Sequence, residues 1–317
     1  MTCHKCPEKS VIELQHGDLC KNHFLSYFEE KVFKTINKYN LVGRKDRICV
    51  ATSGGKDSLT VLYLIKKYLE KNNISSDTLF ALAVDEGIHN YREKTLVDLR
   101  KFCSEHDIRL EIVSYKEEFK HTLNEAYPVI NKGTNKKPCN ICGVWRRYSL
   151  NKYARKLGAT KVITGHNLDD EAQAIIMNLF KANTALAAHL GPISGVQEHN
   201  LFVQRIKPLY LCPEKEVKLY TILKGFQVQF AECPYSKEGY RSHIQDMLNG
   251  FEAKYKGTKQ GIVNSFLDLL PALKEKEIKN RGEDGTGSIQ ECTSCGEPAH
   301  ANICNACTFV EVLRHEG

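Results

Sequence analysis

The 317-residue sequence lacks any run of about 18 apolar residues, which excludes a helix that spans a bilayer. The first residues, Met1-Thr2-Cys3-His4-Lys5-Cys6, lack the apolar core of a secretory signal, so the expected location is the cytoplasm. In that reducing compartment the 13 cysteines are not expected to form a disulfide framework, and metal ligation is the reading their spacing favours. No long internal repeat is present, and the G-x-x-x-x-G-K-[ST] spacing of a Walker loop is missing. Nor do the Cys-rich ends of the sequence carry an aromatic-plus-basic stripe that would mark them as RNA-reading surfaces, although Lys5, Lys9, Lys21 and Arg314 supply some positive charge there. The net charge of +7 is compatible with an anionic partner such as RNA but does not identify one.

What is present begins with alternation. Residues 48–51, 79–84, 109–113 and 161–164 read as short β-prone runs, and 24–40, 59–65, 91–106, 148–157, 171–180 and 238–255 read as helices. This order predicts an α/β fold, a parallel sheet with helices on both faces, with ligands at the carboxyl ends of the strands. The expected division is a Cys/His-rich head over 1–26 and a main domain over 27–240. A helical extension and linker follow over 241–288, with the polar, Gly-rich stretch 280–288 as the linker, and then a Cys-rich tail over 289–317.

Ser53-Gly54-Gly55-Lys56-Asp57-Ser58 falls between a predicted strand and a predicted helix, where backbone N–H groups at the helix start can surround a phosphate. The glycines permit the tight turn. Lys56 can pair with phosphate, Ser53 and Ser58 can donate hydroxyl hydrogen bonds, and Asp57 can help hold Mg²⁺. Two further segments belong with it: Val84-Asp85, ending the second strand where adenine or ribose would rest, and Thr164-Gly165-His166-Asn167-Leu168-Asp169-Asp170 after a later strand. There Gly165 would let a nucleotide approach the backbone, Asp169 and Asp170 could orient metal or a reacting group, and His166 admits a structural or a catalytic role.

Cys139-Asn140-Ile141-Cys142, read as a loop before a basic helix, admits zinc, an iron–sulfur group or a redox dithiol. Cys233, followed by Pro234, offers a third thiolate, and three thiolates leave a fourth metal position open. A [4Fe-4S] cluster, a persulfide relay and structural zinc all remain possible on these residues. Arg146 could neutralise the α-phosphate of ATP or the leaving AMP, and Arg147 or Tyr148 could contact RNA, against the plainer reading of a solvated basic face. Cys49, Cys103 and Cys212 have no paired neighbour and read as packing residues.

Cys3-x-x-Cys6 with Cys20-x-x-His23, and Cys292-x-x-Cys295 with Cys304-x-x-Cys307, each supply four ligands as two close pairs, the arrangement that folds a small knuckle around tetrahedral Zn²⁺. Such short segments bury little apolar surface, so the two zinc ions would supply their folding energy.

In this order the paired-Cys head, S-G-G-K-D-S, C-x-x-C, T-G-H-N-x-D-D, the late C-P and the paired-Cys tail resemble the archaeal and eukaryotic tRNA 2-thiolation proteins. These are PP-loop ATP pyrophosphatases with an adenine-nucleotide alpha-hydrolase-like fold, related to the bacterial two-thiouridine synthetases. The resemblance covers nearly the whole chain. One departure is the stretch Lys181-Ala182-Asn183-Thr184, where the family often carries an Arg-Gly-Asp-like turn, which weakens any carried-over RNA contact there.

The resemblance implies an ATP-dependent tRNA sulfurtransferase. ATP with Mg²⁺ would sit on Ala51, Thr52 and Ser53 to Ser58, with Val84, Arg146, Gly165 and Asp170 around it. The position-2 oxygen of a uracil would attack the α-phosphate, giving an adenylated base and pyrophosphate, and sulfide would then displace AMP. Cys142, Cys233, Asp57 and Asp170 are the expected catalytic residues, with Cys139, Cys142 and Cys233 holding the [4Fe-4S] cluster. The sulfur donor would be sulfide, a persulfide or a ubiquitin-like thiocarboxylate protein. The wobble uridine, 34, is favoured over uridine 54 because the many Asn, Gln and Cys residues do not suit a hyperthermophile. A PP-loop synthetase or amidotransferase acting on a small molecule and a non-catalytic zinc-dependent RNA-binding protein are the alternatives. Oligomeric state stays open, a homodimer included.

Overall fold

The structure, a computed structural model, describes residues 1–196, 199–228, 233–235, 240–283 and 289–316. The expected linker's residues 284–288, together with Ala231, Glu232 and Glu238, lie outside the described residues.

After the head, α1 (Lys21–Lys38) leads into β1 (Ile48–Thr52), α2 (Lys56–Lys71), β2 (Leu79–Asp85), α3 (Arg92–Glu105) and β3 (Arg109–Ser114). Three helices follow, α4 (Tyr115–Phe119), α5 (Leu123–Thr134) and α6 (Pro138–Lys156), then β4 (Lys161–Ile163), α7 (Leu168–Phe180), α8 (Thr184–Ala188), β5 (Gln204–Ile206) and α9 (Glu214–Lys224). The body closes with α10 (Tyr240–Lys254) and α11 (Thr258–Glu283), and the tail is a hairpin, β6 (Gln290–Glu291) and β7 (Pro298–Ala299), with α12 (Asn305–Glu316). The helix α11 runs into the stretch read as linker, so residues 280–283 are helical.

The five strands of the main sheet run in the order β3-β2-β1-β4-β5, all parallel. Side chains alternate across a strand, and the sequence obeys that period. Ile48, Val50, Leu79, Ala81 and Ala83 pack with α1, α2, α3 and α9, whereas Cys49, Phe80, Leu82 and Val84 pack with α5 and α6. Helices therefore cover both faces, as expected. From β1 the chain builds outward through β2 and β3, then returns to place β4 on the other side of β1. The direction in which the chain adds strands reverses between the parallel neighbours β1 and β4, so their carboxyl ends open the crevice where such folds bind ligands. The cysteines read as packing residues are buried: Cys49, Cys103 and Cys212 lie in the core, and burial pushes the Cys103 and Cys212 thiols up to about 12.

The tail packs against the body. Trp145 of α6 is fully buried, stacks on Phe119 at 4.3 Å between ring centroids, and donates its Nε1–H to Ala306 O of α12 at 3.3 Å. Cys292, Cys304, Phe309 and Leu313 share this cluster. Trp145→Ala is expected to cost about 3–5 kcal/mol of stability, read by denaturant unfolding, and to expose the tail to limited proteolysis. An unshifted midpoint with a protected tail would contradict the packing role.

Candidate active site

Two loops meet at the switch point. The first leaves β1 and enters α2. Gly54 has φ +80°, and a Cβ there would lie 2.5 Å from Thr95 O, so the turn admits only glycine. Gly55 is the extended N-cap of α2, leaving the first-turn N–H groups free to face an anion. The Ser58 hydroxyl donates to Gly55 O at 2.9 Å and accepts from Ser53 N at 3.2 Å, while Gly55 N donates to Ser53 Oγ at 3.3 Å. Lys56 Nζ stands 2.8 Å from Asp57 Oδ2 and 2.8 Å from Glu214 Oε1. Burial lifts the Asp57 carboxyl above its ordinary range, with Asp170 adding to the shift and Lys56 opposing it. Beside the loop Ala51 is half-buried, Val84 is buried on the α6 face, and the buried Thr52 hydroxyl has no hydrogen-bond partner among the described residues.

The second loop joins β4 to α7. Asn167 caps α7 in a reciprocal box: its Oδ1 accepts from Asp169 N at 3.0 Å and Asp170 N at 3.2 Å, and Asp170 Oδ2 accepts from Asn167 N at 3.1 Å. The Asn167 amide donates to Asp57 Oδ1 at 3.1 Å, tying the two loops together. A Cβ on Gly165 would meet Asp57 C at 2.9 Å and Ser58 N at 3.0 Å. Glycine is required there to admit the phosphate loop's own backbone, a reason that lies in the tertiary structure rather than in the motif.

Asp170 stays at the crevice, where Arg241 Nη2 donates to its Oδ1 at 2.7 Å and burial raises its pKa. Asp169, expected to orient a metal or reacting group, points into the body. Lys259 binds its Oδ1, and Glu214 N donates to its Oδ2 at 2.7 Å. The ring of His166 keeps solvent access yet is set deep among its neighbours. That desolvation, followed by the charges of Lys207, Arg241, Arg205 and Arg146, lowers its pKa to about 3, so it is neutral at physiological pH.

The thiols lie on the other side of the crevice. Cys139 and Cys142 stand on the first turns of α6, where the sequence pattern predicts a loop. Pro138 starts the helix because its fixed φ suits the first helical position and no N–H is lost there. Cys139 is exposed and donates to Tyr235 O at 3.3 Å. Cys142 is buried, one turn deeper, where Arg146 Nη2 donates to its Sγ at 3.2 Å and Tyr115 OH to its backbone oxygen at 2.9 Å. Burial raises the Cys142 and Cys233 thiols, Arg146 opposing in both, and each responds to another cysteine of the trio. The three are thus in electrostatic reach of one another.

A residue absent from every motif joins the two halves. Glu86, buried just past β2, accepts from Arg146 Nη2 at 2.8 Å and pairs with Arg92 Nε at 3.0 Å. Arg92 in turn donates to Ser53 O of the phosphate loop at 2.6 Å. A continuous run of contacts therefore connects Ser53 to the Cys142 sulfur.

A PP-loop domain model matches residues 25–239. The tRNA-5-methyluridine(54) 2-sulfurtransferase of Pyrococcus horikoshii is 35% identical over 98% of this chain and 93% of its own length. The tRNA 2-thiolation protein NcsA of Haloferax volcanii is 33% identical, covering 99% of each chain. Among solved structures, the U34-tRNA thiolase NcsA from Methanococcus maripaludis with its [4Fe-4S] cluster superposes with TM-score 0.78 at 31% identity, over 99% of this chain and 96% of that one. The chain belongs to the tRNA 2-thiolation family of PP-loop proteins.

Within this family frame the head and tail sets are compact. Cys3, Cys6, Cys20 and His23 bring their ligand atoms within 4.8 Å of one another, as do Cys292, Cys295, Cys304 and Cys307. Sulfur separations of 3.7 Å (Cys6–Cys20) and 3.8 Å (Cys295–Cys304) fit one tetrahedral ion. Bonds of about 2.3 Å to such an ion put its sulfurs roughly 3.8 Å apart. Among the described residues, Cys139, Cys142 and Cys233 do not close to that 4.8 Å limit. Wider spacing of three thiols fits a multi-iron group better than a single zinc.

Tyr148 takes no place at the crevice: its ring packs on Phe119 and its hydroxyl donates to Glu118 Oε1 at 3.3 Å, on the tail side of α6. Lys181, in the stretch that departs from the family, lies over the Tyr240 ring at 4.7 Å and serves a contact between helices. Sequence reasoning misses Glu86 and Arg92 because each stands alone in the chain; the only signal is an acid just beyond a strand's carboxyl end. Glu86→Gln is expected to cost about 3 kcal/mol of stability by leaving buried Arg92 unpaired. It should also weaken ATP binding about tenfold through the loosened Ser53 contact. Denaturant unfolding and ATP titration of the variant beside wild type check both.

Proposed function

We propose that this chain is an ATP-dependent tRNA 2-sulfurtransferase that acts in the cytoplasm on the wobble uridine, 34. The observation that carries the reading is the contact run from Ser53 through Arg92, Glu86 and Arg146 to Cys142, which supports one crevice serving both a phosphate loop and a thiol site.

The loop Ser53 to Ser58 receives the triphosphate, with the α2 N–H groups and Lys56 opposing its charge. Lys56 must exchange part of its pairing with Asp57 and Glu214 for phosphate. Asp57 and Asp170, two desolvated carboxylates of which the second raises the pKa of the first, suit Mg²⁺ as a common counter-charge. Ala51, Thr52, Val84 and Gly165 border the nucleotide. Attack of the uracil position-2 oxygen on the α-phosphate releases pyrophosphate, and Arg146 faces the negative charge that develops there. Sulfide then takes the carbon and AMP leaves with the oxygen. Cys139, Cys142 and Cys233 would hold the [4Fe-4S] cluster, which when bound supplies a seat for the incoming sulfur. The head, 1–26, and the tail, 289–317, carry structural Zn²⁺ in this reading, and 27–240 is the catalytic domain with 241–288 as its extension. Thiolate ligation on this scale supports a reducing compartment.

Anaerobically purified protein, incubated with ATP, sulfide and unmodified tRNA, is expected to give 2-thiouridine at position 34 and pyrophosphate in equal amounts. Thiolation at 54 alone would replace the wobble assignment by the activity named for the Pyrococcus relative. Pyrophosphate release independent of tRNA would overturn the RNA reading.

A further inference from the structure

The cations of the crevice are matched with acids: Lys56 with Asp57 and Glu214, Arg92 and Arg146 with Glu86, Lys207 with Glu171, Arg241 with Asp170. Two are not. Among the described residues, Arg147 and Arg205 have neither an ion pair nor a hydrogen bond from the side chain, and both are exposed.

The fold sets these two together. Arg205 is in register with Val162, and the Val162 side chain lies in the core beneath α6, so Arg205 leaves β5 on the α6 face. Arg147 stands on α6 itself. Its guanidinium folds back over Gly143, with Nη1 3.3 Å from where a Cβ would be, toward the helix end that bears Cys139 and Cys142. One residue along a helix is a rotation of about 100°, so Arg147 turns away from the Glu86 and phosphate-loop side that Arg146 occupies. Desolvation lowers the pKa of both arginines, with Arg146 adding to the shift at Arg147 and Arg147 adding to it at Arg205. Two like charges held close without an acid are relieved by an anion, and guanidinium forks suit phosphate oxygens. The neutral His166 nearby adds no charge of its own.

We propose that Arg147 and Arg205 together grip one backbone phosphate of the RNA whose base enters the thiol site. This inference rests on the tRNA-thiolation reading. The pair would position the strand without reading its sequence, and it is distinct from the seat of the ATP phosphates at Ser53 to Ser58.

The test compares wild type with R147Q/R205Q and R147K/R205K in tRNA binding across a salt series, with ATP titration and thermal melts alongside. The double glutamine variant is expected to bind tRNA about tenfold more weakly near 0.1 M salt, with the slope of log K against log [salt] reduced by about 1. Its ATP affinity should stay within about twofold of wild type, and its melting temperature should not fall, because a repulsion has been removed. The lysine variant keeps the charges and should keep the slope. A wild type that binds tRNA with the same affinity and slope as the glutamine variant overturns the phosphate assignment and leaves the thiolation reading standing. An equal loss of ATP affinity assigns the pair to the nucleotide and also overturns it. A wild type that binds no tRNA overturns both.

Discussion

Cys142→Ala and Cys233→Ala are each expected to lower tRNA thiolation about a thousandfold or more while ATP affinity stays within about twofold of wild type. The separation follows from the architecture. The phosphate loop is held by β1, α2 and α7, whereas the thiols stand on α6 and near Tyr235, and among the described residues Arg146, Glu86 and Arg92 link the two. Removing a sulfur leaves the Asn167–Asp57 tie and the Gly54 turn intact. Cys103→Ala, which removes a thiol that α3 buries in the core, is the control and should thiolate as wild type does. Iron and acid-labile sulfide, thionucleoside content and ATP binding are the three measurements. Retained thiolation in either variant would sink the ligand assignment, and parallel loss of ATP binding would show that the two halves are not separable.

The second large effect is steric. Gly165→Ala adds one carbon that would lie 2.9 Å from Asp57 C, with no flexible side chain there to yield. Either the β4–α7 loop or the phosphate loop must shift. Overpacking of this kind costs about 1–3 kcal/mol, and if that cost falls on the loop, ATP binding weakens about tenfold to a hundredfold. Gly165 does not have a positive φ, so backbone strain does not contribute and the effect reports the close approach alone. ATP titration decides the matter. Wild-type affinity would mean that the phosphate loop does not have to lie where it does for ATP to bind.

Features that are local in sequence are legible there. A β run, a Gly-rich turn and a helix start are adjacent, so the residues around Ser53 to Ser58 suffice to place that loop, and the head and tail ligand sets close as their spacing requires. Features that depend on distant partners are not legible. Asp169 sits in a motif yet answers to Lys259, which lies on α11, and nothing near Asp169 announces that partner. Glu86 and Arg92 are separated from both motifs they connect. The start of α6 is easily misplaced because a C-x-x-C pair reads as a ligand loop, while the feature that decides it is the preceding proline. The helix α5 escapes a periodicity search because Pro128 and Gly133 lie inside it. Its capping box at Thr122 and Glu125 is the signal available.

The Trp145 contact carries a consequence for how the molecule is made. Trp145 leaves the ribosome long before Ala306, its hydrogen-bond partner, and before Phe309 and Leu313, which complete the cluster around it. The helix that bears Cys139 and Cys142 is therefore synthesised well before the segment that completes its packing. Until residues 306–313 have been made and fold, the large indole is left uncovered on its tail side, and the packing of α6 waits on a partner that follows Trp145 by 161 residues.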